Sequence, residues 1–277
     1  MQRSAFAIFS SHSLLLIQPF ITLHRYWDVF VRTTVTEVRT RYAGSVLGLL
    51  WMVVAPLLLM GIYAIIYLVI FNVRPTDMSP AVYVVYVLSG LLPFLGFSEA
   101  LGTGTASLSM NRAILLSTVF PAELVPLRAV VSSQASTAVG MVFCVGLALL
   151  VAEPAAAWVL LPLIWIAMLL FVSGIVLALS LASLLLKDIQ QVLGYVTMVL
   201  LIASPIGYTP SMVPASVRPW LLVNPLAHYI NAIHDVLIFG RWPSPTAIVA
   251  ILTMSVGSFA LGFWIFGRSK RVFFDYA

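Results

Sequence analysis

The feature that most constrains this chain is its set of long apolar runs. A helix rises about 1.5 Å per residue, so ~20 apolar residues are needed to cross a hydrocarbon core about 30 Å thick. Six runs qualify, the fourth longer and the fifth shorter than the others: residues 47–71, 81–101, 127–151, 155–186, 192–206 and 246–266. The sequence therefore predicts an all-α integral membrane protein with six transmembrane helices.

The composition agrees with lipid as the surrounding solvent. Of the 277 residues, 62% are hydrophobic and only 8% are charged, whereas soluble domains carry about 25% charged residues. A net charge of +5 with only two lysines argues against a nucleic-acid-binding face. The lone cysteine, Cys144, excludes a disulfide framework within the chain.

Basic residues predict how the chain is oriented. If both termini share one side of the membrane, that side holds eleven of the fourteen lysines and arginines. The other side keeps Arg74, Arg218 and Arg241. Because lysine and arginine concentrate in cytoplasmic segments, we expect both termini in the cytoplasm and the chain in the cell's inner (plasma) membrane.

Residues 1–43 are predicted to form a cytoplasmic N-terminal segment. Its start resembles a signal peptide, but three serines and a histidine between residues 10 and 13 interrupt the apolar part, and no small-residue cleavage site follows. We therefore expect the segment to be retained. Residues 21–40 mix charge with Trp27, Phe30 and Val31, which predicts an amphipathic helix lying along the cytoplasmic interface.

Residues 44–277 are predicted to form the six-span domain, with two notable connections. Residues 107–126 form a cytoplasmic loop, and residues 207–245 form an external segment too apolar to be a free loop. The external segment has helical spacing with breaks at Pro225 and Gly240, which predicts short helices that re-enter the membrane where protein surrounds them. Glu153-Pro154 predicts a tight hairpin between the third and fourth spans.

Catalytic motifs are weak or missing. A P-loop needs a Gly-Lys pair before serine or threonine, and neither Lys187 nor Lys270 follows a glycine. Ser98 lies in "GFSEA", which resembles a hydrolase elbow without its last glycine. We favour a small residue at a helix contact there, with an intramembrane hydrolase as the remote alternative.

Isolated polar residues give two further hypotheses. Glu99 is the one acidic residue inside a predicted span, and such residues are often functional. It has either a gating or assembly role, or it pairs with a basic residue of the interfacial helix or reaches head groups. A metal site at His228, His234 and Asp235 is disfavoured, because histidines six residues apart face different ways on a helix; polar groups at the external interface are favoured instead.

Bulky side chains recur on one face of each of the first two predicted spans. Aromatic faces stack on sugar rings without fixed charges, so these stripes are candidate conduit residues; ordinary helix packing is the alternative. The residues are Met52, Pro56, Met60, Tyr63 and Tyr67 in the first span, and Tyr83, Tyr86, Phe94 and Phe97 in the second.

The entry into the first span has its own pattern. Arginines anchor at the head groups, small residues at three- and four-residue spacing let another helix approach closely, and a tryptophan follows. This pattern predicts an elbow between a surface helix and a membrane span, made by Arg39, Arg41, Tyr42, Gly44, Ser45, Gly48 and Trp51.

Five motifs, in order, resemble the permease subunits of type 2 ABC exporters for polysaccharides. They are "VRTRYAGSVLGLLWMVVAPLLLMGIYAIIYLVIF", "LSGLLPFLGFSEAL", "NRAILLSTVFPAELVPL", "LLKDIQQVLGYVTMVLLIASPIGYTP" and "WLLVNPLAHYINAIHDVLIFG". The resemblance runs from about Arg39 to Gly240. It departs from the family pattern at residues 116–119, where basic residues are common, and at Lys187, where arginine is common, so details of subunit coupling stay open.

The resemblance implies a homodimer of six-span subunits with two copies of a separate ABC ATP-binding subunit. ATP and Mg would be held by that partner, so this chain would bind no cofactor itself. The residues that would couple to the ATPase are Asn111, Arg112, Phe120, Pro121, Glu123 and Pro126. The gating candidates are Glu99, Lys187, Asp188, Ser204, Pro205, Asn224 and Pro225.

The resemblance also implies the cargo class, a lipid-linked polysaccharide moved out of the cytoplasm. Among the polymers that this family exports, O-antigen is favoured over capsular polysaccharide and teichoic acid. A permease of the same architecture that exports a drug or a small lipid is the next alternative.

Overall fold

The computed structural model describes residues 21–66, 78–112 and 121–276. All regular structure in these ranges is helical, which confirms the all-α prediction for them. The α-helices are α1 (Trp27–Arg41), α2 (Trp51–Ile65), α3 (Pro80–Met110), α4 (Leu124–Val151), α5 (Leu161–Leu185), α6 (Ile189–Ala203), α7 (Pro225–Leu237) and α8 (Pro245–Tyr276). Short 3-10 turns cover Gly48–Leu50, Ala156–Leu160, Pro210–Met212 and Arg218–Leu222.

Five helical stretches are long and apolar enough to cross a membrane. They are Gly48–Ile65, Pro80–Met110, Leu124–Val151, Ala156–Leu185 and Pro245–Lys270, matching predicted spans one to four and six. The fifth predicted span is α6, with 15 residues. At about 1.5 Å per residue it is roughly 22 Å long, shorter than a typical hydrocarbon core.

The connections around the third span differ in how closely they match the prediction. The tight hairpin is confirmed, because α4 ends at Val151 and helical structure resumes at Ala156. The helices beside the predicted cytoplasmic loop are longer than predicted, so only residues 111–123 separate α3 from α4. Pro126 therefore lies in the first turn of α4, where its missing N–H is not needed by the helix. Residues 113–120 lie outside the described ranges.

α3 forms the centre of the bundle. About four fifths of its most apolar window, 78%, is buried, compared with 11% for Gly48–Ile65. α4, α5, α6 and α7 all pack against α3. Lipid tails are as apolar as these side chains, so close packing, rather than exclusion of water, stabilises the contacts. Few residues of α2 and α6 are fully buried, so each of these helices has a face that is open to the surroundings of the subunit.

The closest helix pair in the described bundle is joined by glycines. A Cβ atom on Gly262 of α8 would overlap the carbonyl oxygen of Gly174 on α5, and one on Gly174 would overlap the main chain of Ser258. The Ser258 hydroxyl donates to the Phe171 carbonyl at 2.8 Å. Small residues four apart on α8 thus let two main chains touch, as small-residue motifs do between membrane helices.

The segment predicted to be external, residues 207–245, packs onto this bundle through α7. Asn224 caps α7 with its Oδ1 atom, which accepts from the Leu226 N–H at 3.0 Å, and Pro225 occupies the first helical turn. After α7, Gly240 has a φ of +60°, a conformation that favours glycine. The predicted breaks at Pro225 and Gly240 are therefore confirmed. Most of α7 is buried, so this helix is part of the core.

Candidate functional site beside the interfacial helix

α1 docks on the bundle mainly against α4 and also reaches two points along α3. Phe30 is buried in a cluster with Leu108, near the end of α3. At the other end of α1, Arg41 pairs with Glu99. The contact on α3 has then moved about 13 Å toward its middle. α1 therefore packs against α4 and reaches α3 through the pair of Arg41 with Glu99, a placement that the prediction of a helix along the interface did not specify.

Two ion pairs fix the position of α1. Arg41 donates to the Glu99 carboxylate, which is the pairing with the interfacial helix that the sequence left as one alternative for Glu99. Arg128 of α4 pairs with Glu37, and the Ser132 hydroxyl donates to Glu37 at 2.9 Å. Partly exposed pairs each contribute only ~0–1 kcal/mol, so their main effect is to set the register of α1 on α3 and α4.

The elbow after α1 is a turn built on left-handed glycines. Gly44 has a φ of +79° and Gly48 a φ of +51°. Between them, the Ser45 hydroxyl accepts from the Gly48 N–H at 3.0 Å and donates to the Tyr42 carbonyl at 2.9 Å. Within the described residues no atom lies within 4 Å of a Cβ built on either glycine. The predicted helix contact at these glycines is therefore not formed in the described subunit; their backbone conformation is what requires glycine. Arg39 is exposed in the last turn of α1, and Trp51 begins α2.

The predicted coupling residues lie where the loop meets the bundle. Asn111 follows α3, donates to the Ser107 carbonyl at 2.8 Å and accepts from Arg128 at 3.2 Å. Glu123 precedes α4, is buried, and lies 3.9 Å from the Lys270 ammonium of α8. Both described ends of the loop are thus attached to other helices. Arg112 and Pro121 also flank the loop, and Phe120 lies outside the described residues.

A groove of about 680 Å³ opens between α1, the end of α3 and the start of α4. Its charged lining is Arg32, Arg41, Arg128 and Glu37, and threonine hydroxyls line much of the remainder. This lining suits a polar or anionic group. No sequence pattern predicts the groove, because its three walls come from segments far apart in the chain.

The conduit candidates divide into two groups. On α2, Pro56 and Met60 are buried and Met52 and Tyr63 are partly buried, while Tyr67 lies outside the described residues. On α3, all four aromatic candidates are buried in the core, which agrees with the alternative that they serve helix packing. They are Tyr83, Tyr86, Phe94 and Phe97. Phe97, for example, stacks on Phe171 with ring centroids 6.2 Å apart.

Among the gating candidates, Glu99 pairs with Arg41 of α1. The others lie near the two ends of α6. At its end, the Asn224 side chain donates to the Ser204 hydroxyl at 3.0 Å, and both residues are buried. This bond brings Pro205 close to the start of α7 at Pro225. At the other end of α6, Lys187 and Asp188 are exposed.

His234 is the polar residue whose position the sequence interpretation missed. It does not lie at an interface with solvent but is 2% exposed. Its ring stacks on Tyr86 of α3 with centroids 3.7 Å apart, and Nε2 donates to the Tyr86 carbonyl at 2.9 Å. Burial lowers the pKa of His234 to about 3. The periodicity of the apolar residues on α7 places position 234 on the buried face, which is the pattern that predicts this burial.

The structure offers no support for metal or hydrolase chemistry in its described part. His228 bonds the Leu222 carbonyl at 3.0 Å, away from His234, and no group of three metal-ligand side chains is found among the described residues. His234 contacts α3 at Tyr86 and Gly90. Ser98 is about 12 Å further along the α3 axis than Gly90.

Comparison with known proteins identifies the family of this chain. Residues 29–238 match the sequence model of the ABC-2 type transporter family, so the chain belongs to this family of transporter membrane subunits. It is a multi-pass membrane protein, and its family implies an ATP-binding partner.

Three relatives are similar over most of their length, and each is called an O-antigen export system permease protein RfbA. One from Klebsiella pneumoniae is 29% identical over 221 residues, covering 77% of this chain and 82% of that protein. A second from the same organism is 26% identical over 222 residues, with the same coverage. One from Myxococcus xanthus is 24% identical over 237 residues, covering 84% of this chain and 89% of that protein.

Proposed function

We propose that this chain is the permease of an ATP-driven exporter that moves lipid-linked O-antigen from the cytoplasm across the inner membrane. The observation that carries the proposal is the similarity to three O-antigen export permeases over more than four fifths of their length. The bundle of long apolar helices supports it.

The proposed assembly is a homodimer with two copies of an ABC ATP-binding subunit, which hold ATP and Mg. α6 completes six spans, both termini are cytoplasmic, and α7 re-enters the membrane from outside. Residues 107–126 dock the ATPase, and the contacts from Asn111 to α4 and from Glu123 to α8 support transmission of its motion. The exposed faces of α2 and α6 support a conduit between the two copies.

The test is a deletion strain whose glycans are analysed at the cell surface and inside the cell. We expect loss of the O-antigen from the surface and accumulation of a lipid-linked polymer inside, because synthesis continues while export stops. The wild-type chain should restore the surface polymer. A variant with Ser98→Ala should restore it equally, since Ser98 has no catalytic role in the proposal.

The chemistry of the accumulated polymer distinguishes the remaining cargoes. A capsular polymer or teichoic acid would correct the cargo and keep the architecture. An unchanged surface glycan with no internal polymer would contradict polysaccharide export and favour a drug or small lipid as cargo.

A further inference from the structure

The groove beside α1 has more cationic than anionic groups in its lining. Three guanidinium groups, of Arg32, Arg41 and Arg128, face one carboxylate, that of Glu37. Glu99 stands just outside the lining and pairs with Arg41. Even with Glu99 counted, one cation is left uncompensated.

The uncompensated cation is Arg32. Arg41 and Arg128 have carboxylate partners, whereas the Arg32 side chain is exposed and has no hydrogen bond or ion pair with any described residue. Each paired guanidinium also keeps N–H groups beyond those it uses, since arginine has five donors. The groove therefore offers a free cation and two partly available ones to an anion.

The threonine hydroxyl groups in the groove already donate their protons to main-chain carbonyls, so they cannot donate to a ligand as well. Thr36 donates to the Arg32 carbonyl at 2.8 Å, Thr40 to the Glu37 carbonyl at 3.0 Å, and Thr103 to the Glu99 carbonyl at 2.7 Å. Their oxygens remain acceptors. The lining thus suits an anion that is held by guanidinium groups and that carries hydroxyl donors of its own.

Apolar surface adjoins the free cation. On α1, Val31 and Val35 are 38% and 44% exposed, and Trp27 is 53% exposed on the same flank. Met110, which lines the groove, is 79% exposed. Arg32 therefore lies between a polar groove and an apolar flank, the arrangement that an amphiphile needs for its head group and its acyl chains.

We propose that this groove binds the head group of an anionic glycerophospholipid, with Arg32 contacting the phosphate. Phosphate oxygens accept paired N–H donors from guanidinium groups, and glycerol hydroxyls donate to the threonine oxygens. The inference goes beyond the proposed function and does not depend on the cargo, so the glycan experiment and the binding experiment fail independently.

The test measures lipid binding to the full chain purified in a neutral detergent, by native mass spectrometry. Dioleoylphosphatidylglycerol should bind, and Arg32→Gln should weaken its binding roughly tenfold, because one charge-assisted contact is lost. Arg32→Lys should restore only part of the affinity, because the charge remains while the paired guanidinium donors are lost. Binding should weaken as the ionic strength rises.

Three controls keep the inference falsifiable. Arg25→Gln removes the same charge from an exposed position outside the groove lining and should bind like the wild type. Dioleoylglycerol, which has no phosphate, should bind at least tenfold more weakly, as should inorganic phosphate, which has no acyl chain. Three results would each overturn the proposal. The first is an equal loss of lipid affinity in Arg25→Gln and Arg32→Gln. The others are binding of dioleoylglycerol, or competition by inorganic phosphate, as strong as that of dioleoylphosphatidylglycerol. Unchanged thermal unfolding of Arg32→Gln excludes misfolding as the cause.

Discussion

One buried side chain of α7, that of His234, contacts the central helix α3. His234 stacks on Tyr86 and donates to its carbonyl, and its Nδ1 atom is buried without a partner in the described part of the chain. A protonated ring would place a charge and a second donor in this site with nothing to receive them. The stack therefore depends on a neutral imidazole.

We expect the stability of the protein to fall as the pH drops below 6.5, the ordinary pKa of histidine. Burial lowers the pKa of His234 to about 3 in the folded chain, so between these values the unfolded chain binds more protons. The loss from this group is about 1.4 kcal/mol per pH unit in that window. Thermal unfolding in detergent between pH 7.5 and pH 5 measures it.

The variant His234→Gln should flatten this pH dependence while lowering stability at pH 7.5 by roughly 1–3 kcal/mol, because the stack and its hydrogen bond are lost. His228→Gln is the matched control on the same helix and should keep the wild-type slope. A wild-type slope in His234→Gln would show that other groups cause the acid sensitivity.

At the scale of elements, the contact between α5 and α8 depends on the absence of side chains. Gly174 and Gly262 let the two main chains touch, and the Ser258 hydroxyl bonds across the contact. In lipid there is little hydrophobic gain from bringing two apolar helices together. The area of close packing therefore determines how stable the pair is.

We expect Gly262→Ala to destabilise the protein by ~1–3 kcal/mol, because the added methyl group forces two main chains apart. Gly257 lies on the same helix with no atom within 4 Å of a Cβ built on it. Gly257→Ala should therefore be neutral or stabilise by up to about 1 kcal/mol, the helix-propensity difference. Thermal unfolding of both variants in detergent tests this; equal destabilisation would show that glycine content, not the contact, matters.

Most of the helices could be predicted from the sequence, because the information that specifies each one lies within its own segment. A run such as residues 127–151 contains its own information, because length and apolarity alone determine whether a helix can lie in lipid. The observed helix boundaries differ from the predicted ones where residues outside the apolar run continue the helix, as they do at the end of α3. Gly44 and Gly48 were recognised as special, but sequence spacing did not distinguish a left-handed turn from a helix contact.

At the scale of the whole molecule, the contacts between distant segments were not predictable. The bond from Ser132 to Glu37 joins residues 95 apart, and the bond from His234 to Tyr86 joins residues 148 apart. Hydrophobic periodicity does not specify which helices become neighbours. The groove beside α1 depends on such neighbours and did not follow from the sequence. The periodicity of α7 indicates its buried face, but not that α3 is the helix that covers it.

The orientation and the six-span count can be tested with single cysteines. Cys144 is buried and is the only cysteine, so Cys144→Ala gives a background without thiols. In that background we expect Ser216→Cys to react with a membrane-impermeant maleimide in intact cells. Asp188→Cys should react only after permeabilisation, because α6 would place it in the cytoplasm. Labelling of both positions from the same side would show that α6 does not cross.

The burial of α7 has a consequence for how the protein is made. The ribosome releases Tyr83 and Tyr86 long before Gly207, Tyr208 and His234, to which they bond. While the nascent chain is short, α3 therefore stands in the translocon or the lipid without the helix that later covers it. The core is completed only when α7 has been made and has packed against α3, so the early helices enter the membrane before their final packing forms.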